Sequence, residues 1–190
     1  MVHLLEEYAK VNNIPIMQKD GIEFLCKYIK ENNIKNILEI GTAIGYSAIK
    51  MCLVSDDIRV TTIERDEERY NIAIDNINKF NLTNRITVIL GDALDINLTE
   101  KYDLIFIDAA KSQYIKFFEK FEINLNTGGT IVSDNLSFHG LVDDPSKTHN
   151  RNTKQLVGKI RKYIDYLSNN EKYVTTFYKL GDGVAISIKR

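Results

Sequence analysis

Two short runs carry residue types that can do chemistry together. Tyr102-Asp-Leu-Ile-Phe-Ile-Asp108 is an apolar run that stops on a carboxylate, and Lys111 follows three residues later. Gly129-Thr-Ile-Val-Ser-Asp134-Asn135 is a second apolar run, stopping on a carboxylate and an amide. If the runs are neighbouring parallel strands, Asp108, Asp134, Asn135 and the Lys111 amine converge at one edge of a sheet. Oxygen donors without Cys or His suit a hard cation: Mg²⁺ is the default, and Mn²⁺ or Ca²⁺ also fit. A substrate hydroxyl brought to such a cation becomes more acidic, and an amine beside the cation is driven toward its neutral, basic form. Asp108, Asp134 and Asn135 are therefore candidate metal ligands and Lys111 a candidate general base.

A second set of residues reads as a cofactor site. Glu39-Ile-Gly41-Thr42-Ala-Ile-Gly45-Tyr-Ser47 follows an apolar run and opens a helical pattern. Glycine lets the backbone turn tightly, and a helix start offers free N–H groups. A dinucleotide site prefers G-x-G-x-x-G with a pyrophosphate over those groups. Here the spacing is G-x-x-x-G, and the preceding Glu39 carboxylate disfavours a pyrophosphate but suits an ammonium group. Glu64 ends the next strand pattern, where an acid accepts ribose hydroxyls, and Asp92-Ala93 after the third would flank an adenine. These features, each at a strand's C-terminal end, suit S-adenosyl-L-methionine better than a nicotinamide dinucleotide.

The elements that must hold these groups alternate along the chain. Helical patterns at about 2–12 and 18–33 are split by Pro15, followed by a strand at Asn36–Ile40 and a helix at about 45–55. Then come a strand at Ile58–Glu64, a helix at about 66–80 and strands at Arg85–Leu90 and Lys101–Asp108. A helix at about 111–124 precedes a strand at Thr130–Ser133, a loop over 136–150 and a helix at about 151–168. Tyr173–Leu180 and Val184–Ile188 flank Gly181-Asp182-Gly183 and read as an antiparallel hairpin. The pattern predicts an α/β fold: a mostly parallel, Rossmann-like seven-stranded sheet with a C-terminal antiparallel hairpin and helices on both faces. The expected organisation is a single domain over 1–190, with the helices of 1–33 packed on the catalytic core.

Bulk properties narrow the partners. The chain has 190 residues, is 44% hydrophobic and 27% charged, and carries a net charge of −1, so no global field recruits nucleic acid or membrane. It lacks an apolar stretch long enough to span a bilayer, and its acidic, amphipathic start is unlike a signal peptide, which points to a cytoplasmic protein. Cys26 and Cys52 lie in apolar helical patterns and read as free thiols. One local patch stands out: Lys147, Arg151, Lys154, Lys159, Arg161 and Lys162 occur with no acid among them. That stretch is the candidate phosphate-binding surface.

The motifs Leu38-Glu-Ile-Gly-Thr-Ala-Ile-Gly-Tyr-Ser47, Ile107-Asp-Ala-Ala-Lys111 with Tyr114, and Val132-Ser-Asp-Asn135 with Gly140 resemble those of the metal-dependent class I O-methyltransferases. That family includes catechol and caffeoyl-CoA O-methyltransferases. The resemblance implies that Asp108, Asp134 and Asn135 hold the metal and that Lys111 is the base. It also implies that Met17, Glu39, Gly41, Thr42, Ser47, Glu64, Asp92, Ala93 and Asp108 surround the cofactor. The chain has no Trp and only a short helical lead, so it offers no obvious aromatic slot for a catechol. Its N-terminal Tyr8–Met17 segment, Gly41–Ser47 loop and terminal Gly181–Ser187 segment resemble the bacterial branch that is similar to tRNA 5-hydroxyuridine methyltransferase. That likeness implies the anticodon region of tRNA as substrate, with Lys147, Arg151, Lys154, Arg161 and Lys162 as RNA contacts, and a homodimer. The alternatives are a small catechol-like or phenolic acceptor, or a non-catalytic cofactor-binding protein.

Overall fold

The computed structural model describes residues 2–190. Seven strands form one sheet: β1 (Asn36–Ile40), β2 (Arg59–Glu64), β3 (Ile86–Leu90), β4 (Tyr102–Ile107), β5 (Leu125–Ser133), β6 (Tyr173–Tyr178) and β7 (Val184–Lys189). Their spatial order is β3-β2-β1-β4-β5-β7-β6. The five strands β1–β5 pair in parallel, whereas β7 runs antiparallel to both β5 and β6. The expected sheet and terminal hairpin are both present.

Alternation over Leu104–Ile107 of β4 shows why the sheet is covered twice. Leu104 and Phe106 enter one apolar core and Ile105 and Ile107 the other, as side chains on successive strand residues must. The first core is closed by α1 (Val2–Val11), α2 (Lys19–Glu31) and α3 (Tyr46–Cys52), which supply Leu5, Ile22, Leu25 and Ile49. α4 (Glu67–Lys79) adds Ile77 to it. The second core is closed by α5 (Tyr114–Phe121) and α6 (Arg151–Ser168), through Phe117, Phe118, Val157, Ile160 and Tyr163. The N-terminal helices thus pack on the sheet. Cys52 is buried, Cys26 is half-buried, and both are free thiols. Among the described residues no helix is long and apolar enough to cross a membrane.

Two elements differ from expectation in ways that matter for the site. The helix expected at 111–124 is divided: Lys111–Gln113 form a single 3₁₀ turn before α5, and Glu122–Asn124 another after it. β5 begins at Leu125 rather than Thr130, its first half disguised by Asn126, Gly128 and Gly129. The long 136–150 connection is loop-like as expected, apart from one 3₁₀ turn at Pro145–Lys147.

Strand order places the crevice. From β1 the chain steps outward to β2 and β3, then returns to β4 on the other side of β1, so the sheet opens between β1 and β4. Ligands of open α/β sheets bind at such a switch point, beyond the strands' C-terminal ends. Each loop leaving that edge is pinned to its neighbour. Gly41 N–H donates to Ile63 O at 3.0 Å, Asp108 N–H to Ile40 O at 3.0 Å, Gly91 N–H to Glu64 O at 2.8 Å and Asp134 N–H to Ile107 O at 3.2 Å.

Candidate active site

One cavity of about 490 Å³ opens along this edge. Ile40, Gly41, Thr42 and Ser47 line it from the glycine loop, Glu64 from the end of β2, Asp92 and Ala93 from beyond β3, and Met17 from the segment before α2. Asp108, Lys111 and Asn135 line its other half. Most of the residues expected around the two ligands therefore line one space, and Glu39 and Asp134 stand behind it.

The cofactor half is built on hydrogen bonds that fix its acids. Glu64 is buried and accepts the Ala43 N–H at 2.8 Å and the Asp66 N–H at 2.9 Å, which holds the glycine loop against β2. Each carboxylate oxygen keeps a second lone pair for a ligand hydroxyl. Asp92 caps its own turn by accepting the Leu94 N–H at 2.9 Å. Thr42 is buried, with its Oγ1 2.6 Å from Thr62 Oγ1.

Glu39 is placed differently from expectation. It is fully buried beneath the glycine loop and is not among the cavity-lining residues. Ser47 Oγ donates to one carboxylate oxygen and Thr62 Oγ1 to the other, the latter at 2.5 Å. Glu39 lies under the loop and orients Ser47, which does line the cavity. Burial pushes the Glu39 carboxyl up to about 8, against the pull of its two hydroxyl donors.

That shift has a testable sign. The unfolded chain holds this proton only below about 4.5, the folded chain up to about 8. The ligand-free protein therefore loses stability as pH rises through that interval, and each tenfold of proton affinity is worth about 1.4 kcal/mol. Glu39→Gln mimics the neutral acid and removes the effect. The difference in melting temperature, native minus variant, should fall steadily between pH 5 and 9. A flat difference would show that Glu39 does not hold its proton in the fold.

On the other half, Asp134 is buried just behind Asn135, whose Nδ2 donates to Asp134 Oδ2 at 3.2 Å. Tyr114, also buried, donates its hydroxyl to the Asp134 main-chain carbonyl at 3.1 Å. Tyr163 backs this arrangement, its ring 5.2 Å from Tyr114 and its hydroxyl 2.6 Å from Ser133 Oγ. Burial raises the Asp108 carboxyl, with Lys111 pulling the other way. Burial and then the Asp108 charge push Asp134 up to about 8. Two carboxylates held together out of water cannot both ionise cheaply without a cation. That crowding of negative charge, with an all-oxygen donor set, is what a hard divalent cation would neutralise, so Asp108, Asp134 and Asn135 have the chemistry to hold one.

Several lining residues carry no signal in the sequence. Phe138 stands with its ring centroid 6.0 Å from Lys111 Nζ and, with Phe117, lines the cavity. The expectation that this chain has no aromatic slot is thus corrected: Phe138 supplies a ring beside the base. Its segment Leu136–Gly140 has neither helical nor strand periodicity, so only the fold could reveal it. Asp182 also lines the cavity, although between two glycines it reads as a turn former. Arg65 and Arg69 line the opposite end, beyond Glu64.

The basic stretch is only partly available. Arg161 donates from Nε and Nη2 to Val142 O at 3.0 and 2.6 Å, tying the 136–150 loop to α6. Lys147 Nζ lies 4.0 Å from Asp144. Of these two expected RNA contacts, Arg161 is engaged within the protein, whereas Lys147 forms only an exposed ion pair. Arg151, Lys154 and Lys162 are exposed on α6, opposite the buried Val157, Ile160 and Tyr163. Because β6 runs parallel to β5, α6 must start at the site edge and run away from it. Arg151 and Lys154 are therefore nearest the cavity, and Lys162 lies about 16 Å farther along the helix at 1.5 Å per residue.

The model of a protein family described as O-methyltransferase matches residues 1–190. A crystal structure from Staphylococcus aureus, of a protein named as a candidate caffeoyl-CoA O-methyltransferase, superposes with a TM-score of 0.95 at 42% identity, over 100% of this chain and 92% of the other. An O-methyltransferase from Bacillus cereus, solved in complex with SAH, gives a TM-score of 0.85 at 28% identity, over 100% of this chain and 90% of the other. A catechol O-methyltransferase of Niastella koreensis is 38% identical over 122 residues, which are 60% of this chain and 55% of that protein.

Proposed function

The chain belongs to the O-methyltransferase family, and from that premise we propose that it moves the methyl group of S-adenosyl-L-methionine to the 5-hydroxyl of 5-hydroxyuridine at the tRNA wobble position, giving 5-methoxyuridine. The observation that carries the transfer reading is the shared cavity: the glycine loop, Glu64, Asp92 and Ala93 line one end, and Asp108, Lys111 and Asn135 the other. The RNA reading rests on the α6 face of Arg151 and Lys154 beginning at that same edge, in a chain whose net charge of −1 offers no global pull on a polyanion.

The chain's own residues divide the work. Glu64 accepts from the ribose hydroxyls, Met17 and Ala93 enclose the adenosine, and the free N–H groups at the start of α3 face the amino-acid end. Phe138 stacks on the pyrimidine ring and holds it beside Lys111. Lys111 takes the proton from the 5-hydroxyl as the C–S bond of the sulfonium breaks and the new C–O bond forms, leaving the neutral thioether. Asp108, Asp134 and Asn135 would hold Mg²⁺, which would supply positive charge to the oxyanion that develops as the proton leaves. Positioning of donor and acceptor is the larger part of the rate.

A small vicinal diol or phenol is the second reading. Phe138 favours it as well, because a catechol ring would stack there. One assay separates the two. Incubation with hydroxyuridine-containing tRNA, labelled cofactor and Mg²⁺, followed by digestion, should yield labelled 5-methoxyuridine. Arg151→Glu together with Lys154→Glu should weaken tRNA binding at least tenfold and flatten its salt dependence. Labelling of catechols but not tRNA would overturn the RNA reading and leave methyl transfer standing.

A further inference from the structure

The hairpin turn Gly181-Asp182-Gly183 lies far in sequence from the cation-site residues but is bonded to the segment that follows them. Asp182 is 5% exposed although charged, and so needs partners. One carboxylate oxygen accepts the His139 N–H, and the other lies 3.8 Å from His139 Nδ1. Asp182 O accepts the Ser137 N–H at 2.7 Å, and Gly183 O accepts the Leu136 N–H at 3.0 Å. Behind the turn, the Asp20 carboxylate at the start of α2 accepts the Gly181 N–H at 2.9 Å.

The segment held this way is strained. Asn135, Phe138 and His139 adopt φ of 60°, 46° and 56°, followed by Gly140 at 75°. Left-handed conformations at non-glycine residues cost of order 1–3 kcal/mol each and persist only where the surroundings over-determine them. Here the hairpin turn supplies three of the restraints, on the N–H groups of Leu136, Ser137 and His139. Its fit is tight: a Cβ on Gly183 would stand 2.7 Å from Ser137 N.

We propose that Asp182 is a positioning residue: it clamps the 136–140 segment in its left-handed turn and thereby sets Phe138 beside Lys111 on the acceptor side of the cavity. The acceptor-side role rests on the methyl-transfer reading above; the clamp itself does not. The part of Asp182 that acts is a carbonyl-type oxygen receiving a backbone N–H, not its charge.

Asp182→Asn keeps that oxygen, whereas Asp182→Ala removes it. Amide hydrogen exchange on the full chain reads the clamp without any acceptor. The Ala variant should exchange at least tenfold faster across 136–142, while peptides from β1 and β4 stay unchanged and the affinity for S-adenosylhomocysteine stays within twofold. The Asn variant should exchange within twofold of the native protein. In turnover, Ala should raise the acceptor KM several-fold more than it lowers kcat, and Asn should restore both. If the Ala variant does not fold, exchange in the Asn variant decides: native-like protection upholds the clamp, and tenfold loss overturns it. An Asn variant with native protection but a collapsed kcat would also overturn the proposal, because the charge would then be acting on the reacting groups. Absence of turnover with any acceptor would count against methyl transfer and leave the exchange result intact.

Discussion

Lys111→Ala should lower turnover by about a thousandfold while leaving cofactor affinity within threefold of the native value. The size follows from the role: a positioned general base contributes on the order of 10²–10⁴ in rate. The selectivity follows from place. Lys111 lies in the 3₁₀ turn after β4 and lines the cavity with Asn135, with Asp108 and Asp134 as its charged neighbours. The residues proposed to enclose the adenosine and the amino-acid end are Met17, the glycine loop, Glu64, Asp92 and Ala93, and Lys111 is not one of them. Lys111→Arg should fail almost as badly, because a guanidinium keeps its charge at any working pH and cannot accept the hydroxyl proton. Calorimetry with S-adenosylhomocysteine, set beside single-turnover methyl transfer, separates the two quantities. An Arg variant with near-native turnover would show that Lys111 serves only as positive charge. Equal losses in cofactor affinity and rate would show that it shapes the cavity instead.

The placement of Lys111 also marks what the sequence can and cannot convey. The carboxylates closing β4 and β5 were legible because a buried parallel strand is an apolar run, and a charge ending it must lie at the sheet edge. Asp108, Asp134, Asn135, Glu64 and Asp92 were all legible on that ground. A spacing of three after Asp108 was legible too, but not the geometry: Lys111 was expected on a helix and sits on a 3₁₀ turn. Glu39 was expected at the ligand and lies under the loop, because a strand position fixes depth only relative to neighbours not yet placed. Phe138 and Asp182 were out of reach for a stronger reason. Their meaning depends on Leu136–His139 meeting residues 182–183 across more than 40 positions, a pairing set by β7 lying against β5. No local period encodes it. Arg161 shows the converse: a charge that looked free in the sequence is held by the Val142 carbonyl.

Gly41→Ala should be the most damaging methyl group that can be added to this chain, and the reason is steric before it is conformational. Gly41 is the first residue beyond β1, its N–H fixed to Ile63 O on β2, and it crosses the crevice at φ 103°. A Cβ there would stand 2.2 Å from the Asp108 carbonyl oxygen and 2.9 Å from its carbon. Both are main-chain atoms at the end of β4, so no side chain can rotate away. Relief requires β1 and β4 to part, although they are in register from Ile37–Leu104 to Ile40–Ile107 and buried on both faces. Overpacking costs about 1–3 kcal/mol and the unfavourable φ a similar amount. The sum, about 2–6 kcal/mol, approaches the whole stability of many domains. Where the variant folds, the donor and acceptor halves should be displaced together, with cofactor affinity down at least a hundredfold and turnover undetectable. Gly45→Ala is the control: Gly45 also has positive φ, at 82°, but its nearest neighbour would be Ala73 Cβ at 3.5 Å, an ordinary contact. It should cost only the backbone strain, about 1–2 kcal/mol, and keep measurable activity. Equal damage at both positions in thermal melts and cofactor titrations would mean that the loop's conformation, rather than the closeness of β1 to β4, is what the glycines protect.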